Sequence, residues 1–183
     1  MTLKPKKKKN SEENLVGERI DPLRLMAQLP LHPYQVLADY HCGTGHFTIP
    51  IAKHVFDGKV YAVDPNVENL EELKKSLSDY RLTNVVVSKQ GDISPSSLDG
   101  ALLAFALHKM KNKKAILKET LETLKKGSWL AVLEWNDKVI GEGPPASARI
   151  GDSEVVELAR GIGFRFSEKR ILGDQHYLLM LRK

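Results

Sequence analysis

The sequence contains little that would place the protein in a membrane or outside the cell. Cys42 is its one cysteine, so no disulfide can form within a single chain. No apolar run approaches the ~20 residues that a membrane-spanning helix requires. The lysines near the amino end (KPKKKK) are not followed by an apolar stretch, so we expect no secretory signal. These absences predict a soluble protein of the cytoplasm without a membrane partner.

Positive charge is concentrated at the amino end of an otherwise balanced chain. Lys4 and the four lysines at 6–9 account for the whole formal net charge of +5, because the remaining residues carry equal numbers of acidic and basic groups. A run of this kind is typical of a solvated terminus. We therefore predict a disordered basic tail at 1–12 and no nucleic-acid partner. The length allows one well-packed core and not two, which predicts a single domain at 13–183.

Helical and strand patterns alternate along the chain. The predicted helices cover 18–31, 47–56, 67–80, 113–126 and 152–161. The predicted strands cover 36–40, 59–64, 84–88, 100–107, 129–135, 164–172 and 176–181. This alternation is typical of a Rossmann-like α/β fold, with a seven-stranded, mostly parallel sheet, helices on both faces and an antiparallel C-terminal hairpin.

Polar residues and glycines mark the predicted helix ends. Asn112 and either Asp152 or Ser153 are predicted N-caps, and Gly127 is predicted to end the fourth helix. The segment 136–150 is the longest irregular stretch inside the predicted domain. We expect it to form a loop at the rim of the functional site.

In an open α/β sheet, ligands bind at the carboxyl ends of the strands, near the point where the strand order reverses. Polar side chains at or just past predicted strand ends are therefore the first candidates for a functional site. They are Asp39, Asp64, Asp92, His108 and Glu134.

The segment ADYHCGTGHFT after the first strand allows three interpretations. A metal site would use His41, Cys42 and His46, but zinc sites usually gather ligand pairs from more than one segment and no second cluster is present, so we predict no metal. A catalytic thiol at Cys42 would need a neighbouring base to lower its pKa. A nucleotide loop would use Gly43 and Gly45 to turn sharply and to let a ligand approach the backbone.

The nucleotide interpretation accounts for more of the sequence than the other two. It explains Asp64, an acid that ends the second strand nineteen residues after Gly45. Thr48 occupies the third glycine position of the dinucleotide fingerprint, and Asp39 would repel a pyrophosphate. S-adenosylmethionine carries an ammonium and a sulfonium and no phosphate, so the charge of Asp39 favours it. A nicotinamide-dependent oxidoreductase remains an alternative.

Several motifs in order give the chain a family resemblance from about Val36 to its end. They are LADYHCGTG, KVYAVDPN, KQGDIS, LDGALLAFALH, LKKGSWLAVLEW and GIGF. The chain resembles the class I S-adenosylmethionine-dependent methyltransferases, in particular the small branch related to quinone-biosynthesis methyltransferases. The resemblance implies methyl transfer from S-adenosylmethionine to an acceptor. No inserted substrate domain is visible, so we expect the acceptor to be a small molecule.

The resemblance also implies roles for individual residues. The methionine part of the cofactor would lie against Asp39, His41, Cys42, Gly43 and Gly45, the ribose hydroxyls would bind Asp64 beside Pro65, and the adenine would contact Asp92 and Ile93. His41 departs from the family pattern, because it stands where the first glycine of the loop is expected. If the backbone there has a positive φ, histidine costs about 1 kcal/mol more than glycine. A non-catalytic protein that retains the fold is therefore a second alternative.

Methyl transfer requires alignment of the acceptor and sometimes a base. His108 and Glu134 are the candidate catalytic residues, since both should face the cleft, although either side chain could serve only to satisfy the rim of the sheet. Tyr40, Phe105 and Trp135 are candidate walls for the acceptor or the methionine tail.

Overall fold

The computed structural model describes residues 20–138 and 143–183. The helices are α1 (Pro22–Met26), α2 (Thr48–His54), α3 (Val67–Asp79), α4 (Lys113–Thr123) and α5 (Asp152–Ile162), with 3₁₀ turns at Leu107–Lys109 and Ala146–Ala148. The strands are β1 (Val36–Tyr40), β2 (Lys59–Val63), β3 (Val85–Ser88), β4 (Leu98–Ala104), β5 (Leu124–Trp135), β6 (Arg165–Leu172) and β7 (His176–Arg182). The predicted tail at 1–12, the start of the predicted first helix and residues 139–142 of the predicted rim loop lie outside the described residues.

The seven strands form one sheet in the order β3-β2-β1-β4-β5-β7-β6. Neighbours from β3 to β5 are parallel, and β7 is antiparallel to both β5 and β6. The Rossmann-like fold, the mostly parallel sheet and the antiparallel C-terminal hairpin are thus confirmed. The strand order reverses between β1 and β4, which places the loop after β1 at the switch point of the sheet.

Apolar clusters cover both faces of the sheet, as the pattern of β4 illustrates. Leu102 packs on one face with residues of α1 and α2, while Ala101 and Leu103 pack on the other face with residues of α4 and α5. Each fully buried leucine contributes about 1.5–3 kcal/mol through removal from water. None of the helices in the described ranges has both the length and the apolar character needed to cross a membrane.

Four of the five predicted helices are shorter in the structure, and local contacts explain the limits of the first and the fourth. The first begins at Pro22 because the carboxylate of Asp21 accepts a hydrogen bond from the backbone N–H of Leu23 at 2.9 Å, and it ends at Met26 instead of residue 31. The fourth ends at Thr123 instead of residue 126, since Leu124 already pairs with Leu98 in the sheet. Gly127, with a φ of 82°, lies within β5 and does not end the helix.

Two further boundaries differ for local reasons. β4 ends at Ala104 and not at 107, because Phe105 adopts a φ of 53° that breaks the extended backbone. The N-cap of α5 is Gly151; the carboxylate of Asp152 instead accepts a hydrogen bond from Lys169 Nζ at 2.7 Å, so the prediction of a cap at Asp152 or Ser153 is wrong. Asn112 is confirmed as the cap of α4, since its side chain accepts from the N–H of Ala115 at 3.1 Å.

Candidate functional site

The loop between β1 and α2 turns sharply at the carboxyl edge of the sheet. His41, Gly43 and Gly45 all have positive φ values, of 59°, 57° and 95°. The N–H of Cys42 donates to Val63 O and that of Gly45 donates to Cys42 O, each at 3.0 Å. A Cβ at Gly45 would collide with the side chain of Leu73, whereas a Cβ at Gly43 would meet no atom within 4 Å. Gly45 therefore packs the loop onto α3, and Gly43 leaves open space beside its backbone.

His41 occupies a left-handed backbone conformation that favours glycine. Its side chain is half-buried, and burial lowers the pKa of its imidazole. Lys109 also lowers that pKa, while Asp64 and Glu119 act in the opposite direction. The histidine thus lies among charged groups contributed by the turn after β2, the segment after β4, and α4.

Asp39 is buried below this loop, at 2% exposure. Its carboxylate accepts a hydrogen bond of 2.6 Å from the hydroxyl of Thr48 in α2. Burial raises the pKa of Asp39 to about 7, the bond from Thr48 lowers it, and the neighbouring Asp64 raises it further. In the sequence, Thr48 was notable only because it replaces a glycine of the dinucleotide fingerprint. In the structure it is the hydrogen-bond partner of Asp39.

Asp64 joins the loop after β1 to the turn after β2. One carboxylate oxygen accepts from the N–H of Gly43 at 2.9 Å. The other accepts from the N–H of Asn66 at 2.9 Å and from the side-chain amide of Asn69 at 3.1 Å. A carboxylate offers about four acceptor sites, so this arrangement leaves about one for a ligand. Pro65 follows at the exposed edge of the turn.

Cys42 is packed away from solvent, at 8% exposure, against Leu70, Leu73 and Leu77. Its Sγ donates to Gly43 O over 3.6 Å. Burial strongly raises the pKa of the thiol, and Asp39 raises it further. A thiol in this state is not a nucleophile, so the catalytic-thiol interpretation loses its physical basis.

The loop after β3 carries the two predicted adenine contacts. Asp92 is exposed and accepts from the N–H of Lys89 at 3.0 Å, and Ile93 is 6% exposed. Glu119 of α4 holds this loop, since its carboxylate accepts from the N–H of Gly91 at 3.0 Å and from Gln90 Nε2 at 2.7 Å. The sequence did not indicate Glu119, because it lies 28 residues from the backbone it binds.

The two predicted catalytic residues form a direct pair. His108 Nδ1 lies 2.8 Å from Glu134 Oε2, and the backbone N–H of His108 donates to Glu134 Oε1 at 3.2 Å. The side chains are 6% and 0% exposed. In the arrangement where the Glu134 carboxylate accepts, Nδ1 is the donor and Nε2 is the nitrogen available as a base. Within the described ranges, Nε2 makes no hydrogen bond.

An aromatic cluster lies at the same carboxyl edge of the sheet, on the face opposite to the Glu134 side chain. The ring centroids of Phe105, Trp135 and His176 are 4.3–5.5 Å apart, and the Arg149 guanidinium lies 5.2 Å from the Trp135 ring. Burial lowers the pKa of His176, and its Nε2 is buried without a hydrogen-bond partner among the residues described. β7 is antiparallel, so its first residue, His176, lies at the carboxyl edge of the other strands.

Tyr40 is not a wall of the site: it is fully buried, and its hydroxyl lies 3.1 Å from the Thr123 hydroxyl.

The histidines and cysteine of the loop are not gathered into a metal site. His46 Nε2 lies 2.9 Å from Ile20 O, and the His46 ring packs against Phe47. Over 20–138 and 143–183, no group of three or more histidine, cysteine, aspartate or glutamate side chains is placed to hold a metal ion.

Comparison with known proteins gives a consistent result. Residues 39–130, half of the chain, match a family described as a methyltransferase domain. A search of curated proteins finds no match. The fold is similar to a SAM-dependent methyltransferase from Aquifex aeolicus, with 23% identity, a TM-score of 0.83 and 88% of each chain covered.

Two further solved structures show how widely the fold is shared. A protein assigned as a type 11 methyltransferase from Sulfolobus solfataricus is 26% identical, with a TM-score of 0.71, covering 81% of this chain and 83% of that one. The [4+2]-cyclase SpnF is 17% identical, with a TM-score of 0.73, covering 93% of this chain and 80% of that one. The last example demonstrates that similarity of fold does not by itself determine the reaction.

Proposed function

The chain belongs to the methyltransferase domain family, and from this premise we propose that it transfers a methyl group from S-adenosylmethionine to a small-molecule acceptor. One observation carries the proposal: two features lie at the same edge of the sheet. They are the glycine loop, whose Gly43 N–H donates to Asp64, and the buried His108–Glu134 pair. Lys109, the residue after His108, is close enough to His41 to influence its pKa, so the pair and the loop border the same region.

The residues of the loop fit a cationic nucleoside. Gly43 has open space beside its backbone, and Asp64 retains an acceptor site for a ribose hydroxyl. Asp39 supplies a buried carboxyl group, whose ionised form would be stabilised by a nearby cation. Ile93 offers an apolar surface for a purine, and Asp92 offers an acceptor for its amino group.

His108 is proposed as the general base. When bound, S-adenosylmethionine supplies a methyl group activated by its sulfonium. His108 Nε2 would take the proton from an acceptor hydroxyl as that oxygen replaces the sulfur on the methyl carbon. The sulfur–methyl bond would break and S-adenosylhomocysteine would leave, while the carboxylate of Glu134, at 2.8 Å, would stabilise the imidazolium. Glu134 does not need to take up the proton; it fixes the tautomer and the orientation of the ring.

The aromatic cluster provides a reason to expect a planar acceptor. Phe105, Trp135 and His176 meet at the carboxyl edge of the sheet, and His176 lies near enough to Glu134 for that carboxylate to act on its pKa, so an acceptor beside the pair would lie close to this cluster. Phe105, at the end of β4, adopts a left-handed conformation with a φ of 53°, which is unfavourable for a bulky residue. Aromatic and apolar walls with a few placed polar groups are typical of small-molecule sites.

One observation favours a second function, that of a non-catalytic protein that keeps the fold. His41 puts an imidazole where glycine is expected, at a φ of 59°, and this side chain could fill the space that the cofactor needs. Such a protein would bind neither S-adenosylmethionine nor its demethylated product.

Calorimetric titration with S-adenosylmethionine, S-adenosylhomocysteine and NAD tests the proposal. We expect micromolar binding of the two adenosyl ligands and none of NAD. Binding of NAD alone would support an oxidoreductase, and absence of all binding would support the non-catalytic alternative. After positive binding, a screen of aromatic hydroxyl compounds with labelled cofactor would identify the acceptor, with His108→Gln as the control that keeps binding and loses transfer.

A further inference from the structure

A second cavity lies at the opposite edge of the sheet from the candidate site. It has a volume of about 490 Å³ and is formed where β4 and β5 begin and β7 ends. We call it the amino-edge cavity. The lining residues that matter here are His32, Asp99, Lys125, Lys126, Trp129 and Arg182.

The charge of the amino-edge cavity is positive. Among the described residues that line it, Asp99 is the one acid. Both oxygens of its carboxylate are engaged: Lys125 Nζ donates to one at 2.6 Å and the N–H of Val36 donates to the other at 2.8 Å. Lys126 forms no ion pair within the described ranges. Arg182 makes a single hydrogen bond there, from Nη1 to Gly127 O at 3.3 Å. Two cations of the cavity are thus left without a counter-charge in the described part of the chain.

One residue that lines the cavity has an unsatisfied buried donor. Trp129 is 3% exposed, and its indole Nε1 has no hydrogen-bond partner among the described residues. The indole lies so close to Gly100 that a Cβ there would overlap the ring. Leaving a buried N–H unpaired is costly, so native proteins seldom do so without a reason.

We propose that the amino-edge cavity binds a phosphorylated small molecule. Lys126 and Arg182 supply two cations without a counter-charge among the described residues, and a phosphate presents several acceptor oxygens and about two negative charges. Arginine suits such a group because its planar fork can donate two parallel hydrogen bonds. The volume lies in the range of small-molecule sites.

This site is independent of the proposed methyl transfer. It shares no residue with the loop after β1 or with the His108–Glu134 pair, and it lies at the other end of the parallel strands. Failure of either proposal therefore leaves the other standing, and the two can be tested on one sample.

Nuclear magnetic resonance of the two tryptophan indole N–H groups, with pyrophosphate and glucose 6-phosphate as probes, tests the proposal. We expect saturable binding in the millimolar range or tighter, with a larger shift of the Trp129 resonance than of the Trp135 resonance. Lys126→Glu and Arg182→Gln should each weaken binding about tenfold, the loss typical of one charge-assisted hydrogen bond. Lys75→Glu, an exposed lysine on α3, is the matched control and should leave the affinity unchanged.

Three results would overturn the proposal. The first is the absence of a saturable shift with either probe in folded wild-type protein. The second is equal weakening by Lys75→Glu, which would indicate a general effect of net charge. The third is displacement of both probes by a short single-stranded RNA that binds more tightly and loses affinity in Lys126→Glu, because this would assign the surface to nucleic acid. Binding of S-adenosylmethionine, measured in parallel, reports only on the other site.

Discussion

The buried carboxyl of Asp39 should make the stability of the protein depend on pH in an unusual direction. Its pKa rises from 3.8 to about 7 on folding, chiefly through burial. Between these values the folded protein retains a proton that the unfolded chain has released. The contribution of this group to folding is therefore fully present below pH 4 and is lost as the pH rises through 7.

The size of this effect follows from the shift. A displacement of about three pKa units corresponds to about 4 kcal/mol of stability lost between pH 4 and pH 8. Asp39→Asn preserves the shape of the side chain and an acceptor for the Thr48 hydroxyl, and it has no proton to lose. Relative to wild type, this variant should gain stability steadily as the pH increases over this range.

Urea denaturation at half-unit steps of pH would measure the difference. Subtracting the free energy of unfolding of wild type from that of Asp39→Asn removes the contributions of the titrating groups that do not interact with Asp39. Asp57→Asn, which changes an exposed carboxyl group, is the matched control and should give a flat difference. A flat difference for Asp39→Asn as well would refute the reasoning, because the carboxyl would then ionise as freely in the folded state as in the unfolded chain.

Three other predictions concern the candidate site. Asp64→Ala should weaken S-adenosylmethionine binding about tenfold or more in calorimetry, through loss of charge-assisted hydrogen bonds, with Asp57→Ala as control; unchanged affinity would remove Asp64 from the pocket. His41→Gly should stabilise the protein by about 1 kcal/mol in urea denaturation, since glycine accepts a positive φ without strain; a loss of stability would show that the imidazole makes contacts outweighing that strain. His108→Gln should slow methyl transfer by about 10²–10⁴-fold with cofactor affinity retained, and full activity would exclude His108 as the base.

The strand segments along the chain could be predicted from the sequence, because they depend on local pattern. The apolar run in β4 indicated a strand covered on both faces, and the structure divides Ala101, Leu102 and Leu103 between two clusters accordingly. Asn112 was recognisable as a cap, since capping is a contact between near neighbours. The glycine pattern raised the question of a positive φ at His41, and the structure answers it with a φ of 59°.

Contacts between distant segments were not accessible in this way. The sequence indicated His108 and Glu134 separately, but nothing in either segment predicted that they would meet, because the two residues are 26 positions apart. The bond between Glu119 and the loop after β3, and the position of His176 at the edge of the sheet, depend on packing of whole elements. The same reason explains the wrong end of α4: pairing of Leu124 with Leu98 outweighed a helical pattern that continued locally.

The alternation of side chains along β5 also constrains how this protein can change in length. Leu130 and Val132 pack on one face of the sheet, while Trp129, Ala131, Leu133 and Trp135 pack on the other. Inserting or deleting one residue after Trp129 would reverse the faces beyond that point and exchange Glu134 with an apolar neighbour. Homologous chains are therefore expected to vary in side chain but not in residue number along this strand, and to place their insertions in the 136–150 segment.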